Sequence, residues 1–390
     1  MNATSLTAAG TDSLAVTRLR LTRFRNYASL ALDLEPVTVV ATGPNGAGKT
    51  NLLEAISFLA PGRGLRGARL SDIDPAPAGD TTPTAENVGW AVAATVETSK
   101  GPIEIGTGRT AGEERRTVRI AGKPYKSQAA LSEFVSAVWL TPQMDRIFVD
   151  SPSGRRRFLD RLVFSFDTAH SGRVSAYKSA MRQRAKLLRD GVGDDVWLSV
   201  LESTMVERGI AIAAARREIT ERLHRACMLA DGPFPQATLM LEGSLETWLE
   251  TLPALEAEDR MRDALAAARR EGAETARAPV GPHRSDLRVM HVEKGEPADL
   301  CSTGEQKALL IAIVLADARL RAAERSATPL LLLDEVAAHL DSERRTALFH
   351  AIRDLGAQVW LTGTDQVTFE EMQSDAQFLD VRGGQACLQT

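Results

Sequence analysis

The sequence predicts an α/β fold in which a mixed sheet is divided by a mainly helical insert. Three observations carry that prediction. The β-branched run Val37-Thr38-Val39-Val40-Ala41 leads into the glycine-rich stretch Gly43-Pro44-Asn45-Gly46-Ala47-Gly48-Lys49-Thr50, and Leu52 to Leu59 follows with the pattern of an amphipathic helix. A second apolar run, Leu330-Leu331-Leu332-Leu333, suits a central parallel strand and ends in Asp334-Glu335. Between them, from about residue 151 to residue 280, helical periodicity dominates.

Residues 43–50 fit the phosphate-loop pattern of Gly, four free positions, then Gly-Lys-Ser/Thr. Strand, glycine loop and helix are what phosphate binding requires. Glycines let consecutive N–H groups turn inward around a β-phosphate, and the helix N-terminus adds partial positive charge. Lys49 is then placed to reach the β- and γ-phosphates and Thr50 to hold Mg²⁺. Average residue usage gives an accidental match odds of about one in a hundred, and the flanking context lowers them.

With 390 residues, 44% apolar and 25% charged, the chain suits a large soluble α/β domain with an insertion. The net charge of -4 excludes a wholly basic nucleic-acid binder but not a local patch. Arg outnumbers Lys 39 to 8, which fits either phosphate contacts or biased codon usage. Cys227, Cys301 and Cys387 show neither paired nor metal-ligand spacing, in keeping with a reducing compartment. No secretory pattern opens the chain, and the apolar run Ala308 to Ala316 is too short to span a bilayer. The expected location is cytoplasmic.

In chain order, Leu14 to Glu35 reads as two antiparallel strands around Phe24-Arg25-Asn26-Tyr27. Arg63 and Arg66 lie in a loop after the first helix, where they contact nucleotide or DNA or are solvated. Asp74 to Asn87 reads as a mobile surface loop. Trp90 to Glu97, Ile103 to Gly106 and Thr117 to Ala121 suggest an antiparallel β subdomain, and Val135 to Leu140 delivers Gln143. The composition changes near Asp150, giving expected segments of 1–150, 151–280 and 281–390. Within the insert, two antiparallel helices are expected to join near Gly191-Val192-Gly193, the second capped by Asp194 or Asp195. Its Leu201, Met205, Ile212, Ile219 and Leu223 recur at heptad-like intervals, predicting a short arm or compact subdomain. Arg155, Arg156, Arg157, Arg182, Arg184 and Lys186 fall on the first of these helices, as a DNA-phosphate surface or a solvated face. A strand at Ala237 to Leu241 and a helix at Pro253 to Arg270 close the insert.

The final third carries Gly281-Pro282-His283-Arg284, then Ser302-Thr303-Gly304-Glu305-Gln306 before a long apolar helix, then Asp334-Glu335 and the strand Val359 to Gly363. Ligands gather at the carboxyl ends of strands in open α/β sheets, so the polar strand tips should converge. Asp334 is placed to orient Mg²⁺ through water and Glu335 to take a proton from an attacking water. Gln143 senses the metal, positions the water, or is an ordinary loop residue. Ser302 and Gly304 at a helix tip form an anion site needing a second phosphate-bearing surface, which two subunits placed head to tail would supply.

This motif order resembles the ATP-binding-cassette superfamily and, within it, the SMC-like heads of chromosome-maintenance and break-repair ATPases, most nearly the RecF family. The matching residues are Leu21 to Tyr27, Gly43 to Asn51, Ser151-Pro152 with Arg155-Arg156-Arg157-Phe158-Leu159-Asp160, Gly281 to Arg284, Ser302 to Lys307, and Leu331 to Asp341. The resemblance implies that Asn51 joins the nucleotide site, that Asp341 lies in a D-loop at a dimer interface, and that Thr362 or Thr364 stands where transporters carry a switch histidine. It also implies ATP and Mg²⁺ as cofactors, an ATP-dependent homodimer, binding at single-strand/double-strand DNA junctions, slow hydrolysis, and the mediators RecR and RecO as partners. Ser285 departs from the family's usual acid, and Gln143 falls in a segment that is often acidic.

A transporter subunit shares the motifs but spaces its signature closer to the phosphate loop than Lys49 stands from Ser302 here. A GTPase would carry Asn-Lys-x-Asp, which is absent. An ATP-holding clamp with negligible turnover and another chromosome-maintenance machine stay open at this level.

Overall fold

The computed structural model describes residues 12–74, 89–191, 195–230, 232–275, 277–325 and 327–389. The expected loop from 74 to 87 lies, apart from Asp74, outside the described residues, as do Val192, Gly193 and Asp194. The chain forms two compact units: Met1–Met144 with Gly232–Phe234 and Val314–Thr390, and Asp145–Asp231 with Pro235–Ile313. Residues 281–313 therefore group with the helical insert rather than with the C-terminal segment.

The first unit contains a central sheet of strands in the order Gln385–Leu388, Ala376–Arg382, Thr38–Thr42, Val359–Gly363, Leu330–Leu333, Ala137–Leu140. All neighbours pair in parallel except the edge hairpin 376–382/385–388. The run Leu330–Leu333 is fully buried because both faces of such a sheet are covered, which explains its continuous apolar character. Parallel pairing also has a functional consequence. Thr42, Leu333, Gly363 and Leu140 all end their strands at the same edge.

A second, antiparallel sheet of the same unit runs Tyr27–Asp33, Ala15–Phe24, Trp90–Glu97, Ile103–Arg109, Thr117–Ile120, Lys123–Tyr125. Its alternating burial matches one packed and one solvated face. Phe24, Phe58 and Trp90 meet at centroid distances of 5.2–6.0 Å, joining this sheet to helix α1 (Lys49–Ser57). Each such pair contributes about 0.5–1.5 kcal/mol beyond its buried area.

In the second unit the expected pair of helices is three: α2 (Pro152–Phe164), α3 (His170–Arg189) and α4 (Asp195–Met228). The break comes at Ser165 to Ala169, where Asp167 accepts the N–H of Ala169 and draws the backbone out of helix. All five heptad-like residues of α4 are buried. The helices α5 (Ser244–Thr251), not expected, and α6 (Ala254–Thr275) follow the strand Ala237–Glu242, which pairs antiparallel with Asp286–His291. Helix α7 (Thr303–Arg325) begins in this unit, and α8 (Ser342–Leu355) lies in the first. No helix among the described residues is long and apolar enough to cross a membrane, and none of the three cysteines is in a disulfide.

Two expectations are corrected here. Arg155 and Arg184 do not lie on a phosphate-contacting surface, being 7% and 1% exposed. Arg155 grips Asp286 through two hydrogen bonds of 2.7 and 2.9 Å, and Arg184 donates to Glu202 at 2.8 Å and to the Leu265 carbonyl at 2.8 Å. A buried guanidinium persists only when paired in this way. Arg157, Arg182 and Lys186 are exposed, and Arg156 is half-buried.

Candidate nucleotide site

The phosphate loop leaves the strand Thr38–Thr42 and opens α1 at Lys49. Two of its glycines are required by contact. A Cβ on Gly43 would meet the Val381 carbonyl oxygen at 2.1 Å, and one on Gly48 would meet the Asn26 amide at 2.5 Å; both backbones have positive φ. Pro44, Asn45 and Gly46 are exposed at the tip, Gly46 at φ 79°, whereas Ala47, Gly48 and Lys49 are buried. The Lys49 ammonium donates to the carbonyls of Gly43 at 2.7 Å and Pro44 at 3.0 Å, which holds it across the loop.

The carboxylate strand tip meets the loop directly. Thr50 donates to Oδ1 of Asp334 at 3.0 Å, and Thr362, on the neighbouring strand, donates to the same oxygen at 2.8 Å. The Thr362 hydroxyl in turn accepts the Glu335 N–H at 2.9 Å. Glu335 sits at φ 53°, a left-handed backbone that costs a side-chain-bearing residue about 1–2 kcal/mol. Burial pushes the Asp334 carboxyl upward, opposed by the Thr362 and Thr50 hydrogen bonds. Burial lowers the Lys49 ammonium, and the nearby charges of Glu335 and Asp334 push it back up. A divalent cation at this oxygen would offset that burial cost, so the donor set fits a hard metal.

Behind the loop stands a support the sequence did not advertise. Asn26 donates its amide to the Ala47 carbonyl at 2.9 Å, the Gly384 N–H reaches that carbonyl at 3.2 Å, and the Tyr27 hydroxyl donates to the Gly48 carbonyl at 3.1 Å. Asn51 donates to the Asn26 side-chain oxygen at 2.7 Å and accepts from Arg66 at 2.6 Å. Arg66 also shares the buried carboxylate of Glu54 with Arg25. The carbonyls of Ala47 and Gly48 are thereby held on the turn Phe24 to Tyr27, which fixes the backbone where the loop enters α1. An Asn-Tyr pair in a hairpin turn is a faint sequence signal, and only the fold shows its partners.

Other expected site residues stand elsewhere. Gln143 is exposed on the turn after Leu140, and no described hydrogen bond joins it to Thr50 or Asp334. Asp341 caps α8, accepting the Arg344 N–H at 2.8 Å. In the second unit, Ser302 and Glu305 form a capping box: Glu305 accepts the Ser302 N–H and hydroxyl, both at 2.9 Å, and Lys294 holds Glu305 at 2.5 Å. Those contacts bring the Glu305 carboxyl down to about 2, led by Lys294. Gly304 follows, half-exposed, in the first turn of α7.

Residues 15–386 match the family model described as the RecF/RecN/SMC N terminal domain. A DNA replication and repair protein RecF of Mesorhizobium japonicum is 48% identical over 375 residues, covering 95% of this chain and 96% of that protein. The chain belongs to the RecF family. A RecF of Brucella suis biovar 1 is likewise 48% identical over 380 residues, covering 96% of each. Two solved structures of the recombination mediator protein RecF in the RecFOR pathway share the fold at TM-scores of 0.84 and 0.77 and 21% identity, each covering 97% of this chain and 99% or 100% of theirs. An Smc head domain from Pyrococcus furiosus shares it more distantly, at TM-score 0.53 and 16% identity, with 96% of each chain covered.

Set in the RecF family, the arginine motif of this chain is bonded to the two residues that follow the Gly-Pro-His-Arg turn and, through Arg216, to the turn itself. Arg156 donates to the Ser285 carbonyl at 2.8 Å, beside the Arg155–Asp286 pair. Asp160 receives both forks of Arg216 at 2.8 and 3.0 Å and the His170 ring at 2.8 Å, while Arg216 also caps the Pro282 carbonyl at 2.6 Å. Ser285, in place of an acid, donates to the buried Glu246 at 2.6 Å, so α5 brings a carboxylate to that position.

Proposed function

We propose that this RecF-family chain is an ATP-dependent DNA-binding protein of replication and recombinational repair, whose triphosphate joins two copies and whose slow hydrolysis releases them. The observation that carries the reading is the shared Asp334 oxygen: the loop hydroxyl of Thr50 and the strand-tip hydroxyl of Thr362 converge on it beside Lys49. In this reading Gly43 to Asn51 would cradle the triphosphate, Lys49 would bind its β- and γ-oxygens, and Thr50 and Asp334 would hold Mg²⁺, with the exposed Gln143 a further candidate for that role. Bound Mg²⁺ would neutralise charge on the β- and γ-phosphates. Glu335 accepts the proton of the attacking water. Ser302 and Gly304 of a second copy cap the γ-phosphate, with Asp341 at the same interface. One of the RecF structures sharing this fold is described as RecF-ATP, and both are placed in the RecFOR pathway, which supports ATP as the nucleotide and recombination mediators as partners; in this reading those mediators are RecR and RecO and the DNA is a single-strand/double-strand junction.

Light scattering and sedimentation of the full chain with ATP, with ADP, and with each plus gapped duplex test the reading. A dimer with ATP and DNA but not with ADP is expected. A chain that stays monomeric while saturated with ATP overturns it.

A further inference from the structure

We propose that Arg157, Lys178 and Arg284 form the second unit's contact for a nucleic-acid phosphate backbone, on a platform set by Arg156 and the buried Tyr177–His283 pair. The proposal rests on the DNA-binding reading above and locates it.

The platform is built by hydrogen bonds among three segments distant in sequence. The Tyr177 hydroxyl on α3 meets Nδ1 of His283 at 2.7 Å, which sets the neighbours Lys178 and Arg284 beside each other's segments. Arg156 of α2 donates to the Ser285 carbonyl at 2.8 Å, so the next residue, Arg157, stands at the same junction. Gly281 makes this approach possible, since a Cβ there would lie 2.1 Å from the Tyr177 hydroxyl. Arg157, Lys178 and Arg284 are all exposed.

The charge balance is what points to an anion. The two carboxylates that act most on this junction, Asp160 and Asp286, are already held, Asp160 by Arg216 and His170 and Asp286 by Arg155. The cations at the junction repel one another, the bonded Arg216 and Arg156 included. Partial desolvation lowers the ammonium of the otherwise exposed Lys178; Asp160 opposes this, but Arg216, Arg157 and Arg156 reinforce it. Burial likewise brings His283 down to about 4, with Arg284, Arg156 and Arg216 adding to the fall against a hydrogen bond with Ala278. Gathering like charges at one junction costs free energy that a phosphate backbone recovers, with release of its counterions.

The pattern selects nucleic acid over a small anion. The exposed cations come from three segments and a rigid buried base, an arrangement that tracks a backbone rather than enclosing one phosphate. Arg182, one helical turn beyond Lys178 on α3 and exposed, extends the same side of that helix.

The test is equilibrium binding of a fluorescent gapped duplex to the full chain with ATP and Mg²⁺, between about 50 and 200 mM salt. Arg157→Glu with Lys178→Glu should weaken binding roughly ten- to a hundred-fold and lower the salt slope by about 2, while ATP affinity and the thermal midpoint stay as in the parent. Arg157→Lys with Lys178→Arg should restore both. Arg382→Glu, an exposed reversal in the first unit, is the control and should change little. Parent-like affinity and slope in the double variant overturn the location while leaving DNA binding intact. A parent chain that binds no DNA overturns the underlying reading and this site with it.

Discussion

Thr362 donates its hydroxyl to Oδ1 of Asp334 at 2.8 Å while accepting the backbone N–H of Glu335 at 2.9 Å, so one side chain positions both carboxylate residues of the site. Thr362→Val keeps the shape and removes both bonds, leaving a part-buried N–H without its acceptor at a cost of about 1 kcal/mol. Mg²⁺–ATP affinity should fall about ten-fold by calorimetric titration, and Thr362→Ser should recover it. An unchanged affinity for the valine variant would separate Thr362 from nucleotide binding.

The Asn26–Tyr27 support predicts a loss confined to the loop. Tyr27 is fully buried and its hydroxyl meets the Gly48 carbonyl, so Tyr27→Phe keeps the packing and removes one hydrogen bond, about 1 kcal/mol. The nucleotide-free protein should unfold with little change, while ATP affinity drops several-fold. Gly48→Ala should do more harm, because the added carbon meets Asn26 and the backbone is left-handed. Chemical denaturation with and without ATP distinguishes the two.

Asp160 predicts the acid limb of stability. Burial raises its carboxyl, but the hydrogen bond with His170 and the charge of Arg216 prevail and bring it to about 2, below the ordinary 3.8. The contribution, about 2 kcal/mol, is fully present above that ordinary value and is lost as pH falls through the folded one. Asp160→Asn should therefore lower stability at neutral pH and flatten the loss between pH 4 and 2, as read by urea denaturation. A parallel acid limb in the variant would assign it to other carboxylates.

Ser302 tests the two-copy reading apart from nucleotide binding. The residue is exposed at the tip of α7, so Ser302→Arg should fold and bind ATP as the parent does. Sedimentation with saturating ATP should then show a monomer. A dimer of parent-like strength would remove the signature helix from the interface.

The legible parts of this molecule were those whose partners lie nearby in sequence. Gly43 to Thr50 announced their loop because the strand before and the helix after are local patterns, and the buried positions of α4 followed from spacing alone. The arginine motif misled for the opposite reason. Arg155 and Asp286 are 131 positions apart, and a charge run does not tell which guanidinium turns inward. Thr50 and Asp334, 284 positions apart, were expected near each other only because parallel strands end at one edge.

By itself, then, the sequence determined the phosphate loop, the apolar strand with its acidic tip, the helical insert and the family, since each is written in short-range periodicity or fixed spacing. The tertiary structure alone decided that Asn26 and Tyr27 carry the loop, that Thr362 serves Asp334 and Glu335 together, that Glu246 supplies the acid beside Ser285, and which arginines face water. Those outcomes depend on sheet order and on pairing buried polar groups across long stretches of chain, where the cost of an unpartnered charge selects one arrangement from many.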